Sequence, residues 1–208
     1  GGEDFKGRTA ALDGERYHGM AMYSGLVRQS KHWTLRADVM GQSPTFRAEM
    51  GFEPQNDWMR YELGASYNAF PNKKWVKTWG VYNEATQFRY FDGDLRQNHH
   101  LAWGWIQWGG NLRSSFFHRI RFDELFKDVR FSNLRTLGVN VNWKPSQTFN
   151  TGFEWNTGQS IVYNEMPLRV GRESNAALDL QFQVGGQLRW NHMLIHSQMH
   201  ELDGSGLI

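Results

Sequence analysis

The chain of 208 residues contains no cysteine. That excludes disulfide staples, thiol catalysis and cysteine-ligated zinc together, and it leaves the redox compartment open. No stretch approaches the ~20 consecutive apolar residues of a membrane-spanning helix. Charge of one sign is also missing: 23 Lys and Arg stand against 21 Asp and Glu for a net +2. The basic residues are scattered among acidic ones and form no stripe, so a nucleic-acid footprint is absent. The chain opens Gly1-Gly2-Glu3-Asp4, with no initiator methionine, charged n-region or apolar h-region. Either a leader has been removed or the chain is an internal piece of a longer protein.

What the chain has in quantity is aromatic residues, 15% of the total with 10 Trp, 14 Phe and 7 Tyr, in a sequence only 39% hydrophobic with a mean hydropathy of -0.66. A transmembrane β-strand explains that combination, because it shows lipid only every second residue and its other face is free to be polar. Alternation is in fact the dominant pattern. From Leu178 to Trp190 the even positions are Leu178, Leu180, Phe182, Val184, Gly186, Leu188 and Trp190, and the odd ones are Asp179, Gln181, Gln183, Gly185, Gln187 and Arg189. Asn191-His192 is read as the turn after it. Met193, Ile195 and Met199 then face one way, and His196, Gln198 and His200 the other. The same construction recurs at Trp33 to Val39, Met59 to Ala69 and Arg135 to Trp143, and the stretches Asn98 to Trp108 and Leu112 to Phe122 flank a tight Gly109-Gly110-Asn111 turn.

About ten long strands are predicted in a single domain spanning 1–208, within the range of membrane barrels. Runs of ~11 to 15 residues exceed the ~5 to 6 of soluble sheets. Short turns at 30–32, 71–74, 109–111, 144–147 and 191–192 alternate with longer connections at 42–57, 92–94, 124–132 and 159–174, the rim asymmetry of outer-membrane proteins. Segment 45–53 alternates too and is placed as an extension within a long outer loop. The fold class is therefore all-β, an antiparallel up-and-down transmembrane β-barrel. Its ends, Gly1 to Gly14 and Asp203 to Ile208, read as loops apart from a short strand from Phe5 to Leu12, so the expectation is an incomplete part of a larger barrel.

On this reading Arg36, Asp38, Arg60, Glu62, Asp179 and Arg189 face a wet lumen, and their mixed sign predicts weak ion selectivity. Trp33, Trp58, Trp75, Trp143 and Trp190 fall near strand ends, where an amphipathic ring sits at headgroup depth with its polar edge wet.

Candidate chemistry is sparse. His192, His196 and His200 would share a helix face, but on a strand a spacing of four puts side chains ~13 Å apart, too far for one ion; they are read as lumen-facing polar residues. His99 and His100 are adjacent and point to opposite faces. Ser114, Ser115, His118 and Asp123 could be imagined as a hydrolase set, without any geometry to make them one. Gly109-Gly110 and Gly185-Gly186 are not phosphate loops, since neither joins a strand to a helix, and a glycine within a strand marks a bend or a close approach. Arg89 to Asp94 is read as a turn and not as a calcium loop. No cofactor, metal or catalytic residue is expected.

Phe46-Arg47-Ala48-Glu49-Met50-Gly51-Phe52 before a strand, the turn Phe70-Pro71-Asn72-Lys73-Lys74 and the Gly-interrupted run from Leu178 to Trp190 together resemble a family of bacterial outer-membrane barrel domains of unknown function. Members typically carry an N-terminal domain similar to carbohydrate-binding module family nine. The resemblance implies residence in the bacterial outer membrane, outer-membrane lipid as a partner, and carbohydrate binding through a domain outside this chain. The expected role is a non-enzymatic pore, scaffold or anchor. A soluble β-sheet carbohydrate-binding module and a barrel-borne hydrolase are the alternatives.

Overall fold

A computed structural model of the chain describes residues 19–46, 56–163 and 166–202. Within them lie ten strands: β1 (Ala21–Gln29), β2 (Trp33–Gln42), β3 (Trp58–Ala69), β4 (Val76–Arg89), β5 (Leu95–Trp108), β6 (Leu112–Phe126), β7 (Val129–Trp143), β8 (Phe149–Val162), β9 (Arg169–Val184) and β10 (Leu188–Glu201). They form one sheet in the order β1 to β10, every neighbouring pair antiparallel, with no helix among the described residues. The all-β, up-and-down expectation is borne out. Closure is not: β1 and β10 are not paired to each other, and the sheet is open. Phe5 to Leu12, all of segment 45–53 except Thr45 and Phe46, and Asp203 to Ile208 lie outside the described residues.

Three connections differ from the expected ones. The break placed at Asn191-His192 lies instead at Gly185-Gly186-Gln187, where Gly185 and Gly186 have φ of 61° and 76°. Only glycine takes those values freely. The loop is invisible to a period-two reading because it holds three residues and pairs Val184 with Leu188, so even positions stay on one face through the turn. The connection expected at 124–132 is a two-residue turn, Lys127-Asp128, with φ of 46° and 62°, the pair of left-handed residues that a type I′ hairpin requires. At 159–174, strand β8 continues to Val162 and β9 begins at Arg169, which leaves a much shorter loop.

Register fixes the two faces. Arg36 pairs with Gly64, Gly64 with Glu84, and Glu84 with Leu101. Following such partners across the sheet puts even residues of β2, β3 and β4, odd residues of β5 and β6, even residues of β7 and β8, and odd residues of β9 and β10 on one side. This is the polar face; its opposite is the apolar face. A bulge at Phe122 shifts the register between β5 and β6 near the upper end.

Among the described residues, strands contact only their neighbours in the sheet and nothing packs across it. Only Phe131, Leu134, Ile161 and Val162 are buried hydrophobics among the described residues. Phe131, Leu134 and Ile161 gather Phe126, Leu168 and Val170 at the rim of the β6–β7 and β8–β9 connections. Leu26, Leu63, Phe116, Trp143, Trp190 and Leu194, by contrast, stand exposed on the apolar face. A water-soluble domain of this length buries most such side chains.

Candidate functional site

The six charged residues expected to share a lumen do share the polar face. Four of them form a cluster where β1, β2 and β3 adjoin. Asp38 is 2% exposed and Glu62 7%. Arg36 Nε pairs with Asp38, Arg36 Nη1 lies 3.6 Å from Glu62 Oε1, and Arg60 Nη2 lies 3.5 Å from Glu62 Oε2. Tyr23 Oη donates to Asp38 Oδ1 at 2.9 Å. Next along the sheet Tyr82 Oη donates to Glu84, as does Thr86 Oγ1 at 3.0 Å. Buried carboxylates persist where they are paired, Asp38 with Arg36 and the Tyr23 hydroxyl, and Glu62 between Arg36 and Arg60.

Asp179 and Arg189 lie at the far side on β9 and β10, opposite Met193 and Gln183 respectively, and do not join that cluster. Between the two groups the polar face changes character. β5 and β6 present Trp103, Trp105, Phe117, Arg113 and Arg119, and β7 to β9 present an amide lattice. There Asn175 Nδ2 donates to Asn156 Oδ1 at 3.1 Å, Ser197 Oγ donates to Asn175 Oδ1 at 2.6 Å, and Asn142 Nδ2 donates to Asn140 Oδ1.

On the apolar face, aromatic rings line the rim of the short turns. Trp33 and Tyr67 have ring centroids 4.9 Å apart, and Tyr67 and Trp79 5.5 Å. Farther along, Trp143 meets Phe149 at 6.5 Å, Phe149 meets Phe182 at 4.8 Å, and Phe182 meets Trp190 at 5.2 Å. Trp33 thus belongs to one group of rings and Trp143 and Trp190 to a second, and with Trp108 at the end of β5 between them they make up a belt along this rim of the apolar face. Trp75 precedes β4 at the same rim and is 78% exposed. Trp58 stands at the opposite rim, on the polar face, with its indole N–H donating to Gln42 Oε1 at 3.1 Å.

The belt runs obliquely to the strands. Trp33, Tyr67, Val81, Gly104, Phe116, Val139, Trp155, Ala176 and His196 form one unbroken row of register partners. On β10, however, the belt residue is Trp190, six positions from His196. Six residues are about 20 Å and the eight inter-strand steps about 38 Å, so belt and row diverge by about 28°. The same slope accounts for the histidines. His192, His196 and His200 pair with Leu180, Ala176 and Arg172, which places them on the apolar face and not among the lumen-side residues. His192 stacks on Trp190 at 5.6 Å, while His196 and His200 lie farther from the belt along the same face.

The remaining candidates stay apart. His99 and His100 take opposite faces, as do Ser114 and Ser115. Ser114 shares a face with His118 but lies four residues away, and its Oγ accepts from the Trp108 indole at 2.8 Å. Arg89 to Asp94 is a turn closed by Tyr90 N–H to Asp94 O at 2.8 Å, and no group of three His, Asp or Glu suited to a metal occurs among the described residues.

Over the described residues, fold and faces together define a single antiparallel up-and-down sheet with one polar and one apolar surface. Comparison with protein-family models, curated proteins and solved structures finds no match to this chain.

Proposed function

We propose that this sheet forms wall of a bacterial outer-membrane β-barrel, its apolar face against lipid and its polar face lining a water-filled lumen, and that the wall serves transport and not catalysis. The oblique aromatic belt is the observation that carries this reading. A belt at headgroup depth must be level with the membrane, so strands that cross it obliquely are tilted by the same angle. About 28° falls somewhat below the ~35–45° of such barrels. Above the belt, β3, β7 and β9 hold hydrophobic residues on the apolar face for six to eight steps, from Ala69 to Tyr61, Trp143 to Leu137 and Phe182 to Ala176, while Asn83 on β4 and Ser114 and His118 on β6 interrupt it. The runs measure about 20 to 26 Å along the strand, or about 18 to 23 Å along the membrane normal at a tilt of about 28°. Arg135, Ser174 and His196 then restore polarity. An apolar band of ~25 Å is the expected height.

The membrane reading carries a requirement. Unpaired strand edges are not tolerated in hydrocarbon, so β1 and β10 must each find a strand, by pairing with one another or with further strands. Their side chains fit such a role: β1 is exposed along its whole length, and β10 from Leu188 to Ser197.

Reconstitution tests the proposal. The protein should gain its β-sheet signal only in detergent or lipid vesicles, and its tryptophan emission should be quenched by lipids brominated near the headgroups. A folded monomer in plain buffer would contradict it. In planar bilayers the mixed charges of Arg36, Asp38, Arg60 and Glu62 predict a channel of weak ion selectivity.

A further inference from the structure

The polar face of β4 to β6 carries aromatic rings where a lumen wall needs none. Trp105 lies opposite Gly80, and Phe117 opposite Gly138. A Cβ on Gly80 would come within 2.7 Å of Trp105 Nε1, and one on Gly138 would strike the Phe117 ring. Each ring is therefore laid down over the glycine of the adjoining strand. Tyr82 does the same toward Gly64, where a Cβ would sit 3.1 Å from its hydroxyl. A ring lying along a sheet turns one π face to the sheet and the other to the space above it. Trp103 is Phe117's other register partner and lies two residues from Trp105 on the same face, so the three rings share one stretch of the polar face; all four rings are half-buried.

The surroundings are polar and of mixed charge: Glu84, which accepts from Tyr82, and Glu154, the register partner of Asn140, stand near Arg113 and Arg119. Ser115 and Asn140 are register partners, as are Arg113 and Asn142, and beyond them the amides of β8 and β9 continue. Arg113 lies over the Trp105 ring at 5.3 Å from its centre, so that ring is shared with a guanidinium whose donors remain available to a ligand, while Trp103 and Phe117 supply the uncovered faces. Arg121 is committed to Glu124 at 2.6 Å and to the Gln159 carbonyl.

Building on the lumen reading, we infer that Trp103, Trp105 and Phe117, flanked by Arg113, Asn140 and Asn142, form a binding strip for an oligosaccharide. A sugar ring has one face of C–H groups, which packs on a π surface. Its rim of hydroxyls each donate and accept, as the amides beside the strip also do. An inorganic ion would have no use for the rings. A purely apolar solute would leave the flanking amides and Arg113 unsatisfied, which disfavours it.

The full protein in lipid vesicles is titrated with maltohexaose, a neutral glycan, and with tri-galacturonate, an acidic one, while tryptophan emission is followed. Saturable binding of either supports the strip, and which one binds reports the part played by Arg113 and Arg119. Trp105→Ala and Phe117→Ala should each weaken it by about tenfold, the scale of one lost stacking ring, while Leu137→Ala on the apolar face leaves it unchanged. Circular dichroism checks that each variant folds. A parallel sample carries Asn140→Cys in this cysteine-free chain and is treated with a membrane-impermeant maleimide. Labelling at that position with no binding of either glycan, or binding indifferent to Trp105 and Phe117, overturns the glycan inference alone. Absence of labelling overturns the lumen reading itself.

Discussion

At the scale of residues, the stability of the polar face rests on carboxylates that the sheet has nearly taken out of water. Asp38 accepts from Tyr23 and from Arg36. Asp38→Ala removes both bonds, and because Arg36 remains partly exposed its charge is screened. We expect a loss of about 1 to 3 kcal/mol, read from urea unfolding in lipid vesicles, with Asp38→Asn recovering part of it through the tyrosine. The alternation of Arg36-Ala37-Asp38 and Arg60-Tyr61-Glu62 was enough to place these four charges on one face. That they meet across β2 and β3 depended on the register, which a sequence without its turns does not supply. The aromatic strip was harder to see. In β5, Trp103 and Trp105 face one side while Ile106 and Trp108 face the other, so alternation of polarity gives no sign of a surface. The signal was the set of glycines at 64, 80 and 138, each of which lies beneath a ring from a neighbouring strand.

Among the elements, the account divides each strand into a lipid half and a water half. Leu63 lies on the apolar face of β3 and is 64% exposed; Ser66 lies on the polar face three residues on. Leu63→Arg should cost about 2 to 4 kcal/mol of folding free energy in bilayers, and Ser66→Arg less than about 0.5 kcal/mol; equal costs would remove the distinction between faces. The hairpin of β9 and β10 gives a second test. Gly186 has φ of 76°, where a β-branched side chain is strained, so Gly186→Val should destabilise by about 1 to 3 kcal/mol and slow folding into vesicles. Strand number, lengths and the turns at 109–111 and 144–147 were legible because glycine, proline and the loss of alternation coincide there. The Gly185 turn escaped because its odd length conserves parity. The Lys127-Asp128 turn escaped because it lacks the glycine that usually marks a type I′ hairpin.

For the whole molecule, the slope of the belt is itself a prediction. Polarised infrared spectra of the protein in oriented bilayers should place the strands about 28° or somewhat more from the membrane normal, where an untilted sheet would contradict the geometry. The histidines of β10 show why such a property lay beyond the sequence. Each strand taken alone looks level, and only the accumulated register across eight steps displaces the apolar window from His196 down to Trp190. The central claim is that one face meets lipid and the other water, and spin labelling along β3 tests it most directly. Single cysteines at positions 60 through 67 would carry nitroxides in vesicles, with collision rates measured against oxygen, which concentrates in lipid, and against a water-soluble nickel chelate. The account predicts a period of two, with oxygen maxima at 61, 63, 65 and 67 and nickel maxima at 60, 62, 64 and 66. Uniform access of the nickel chelate to all eight positions would contradict it.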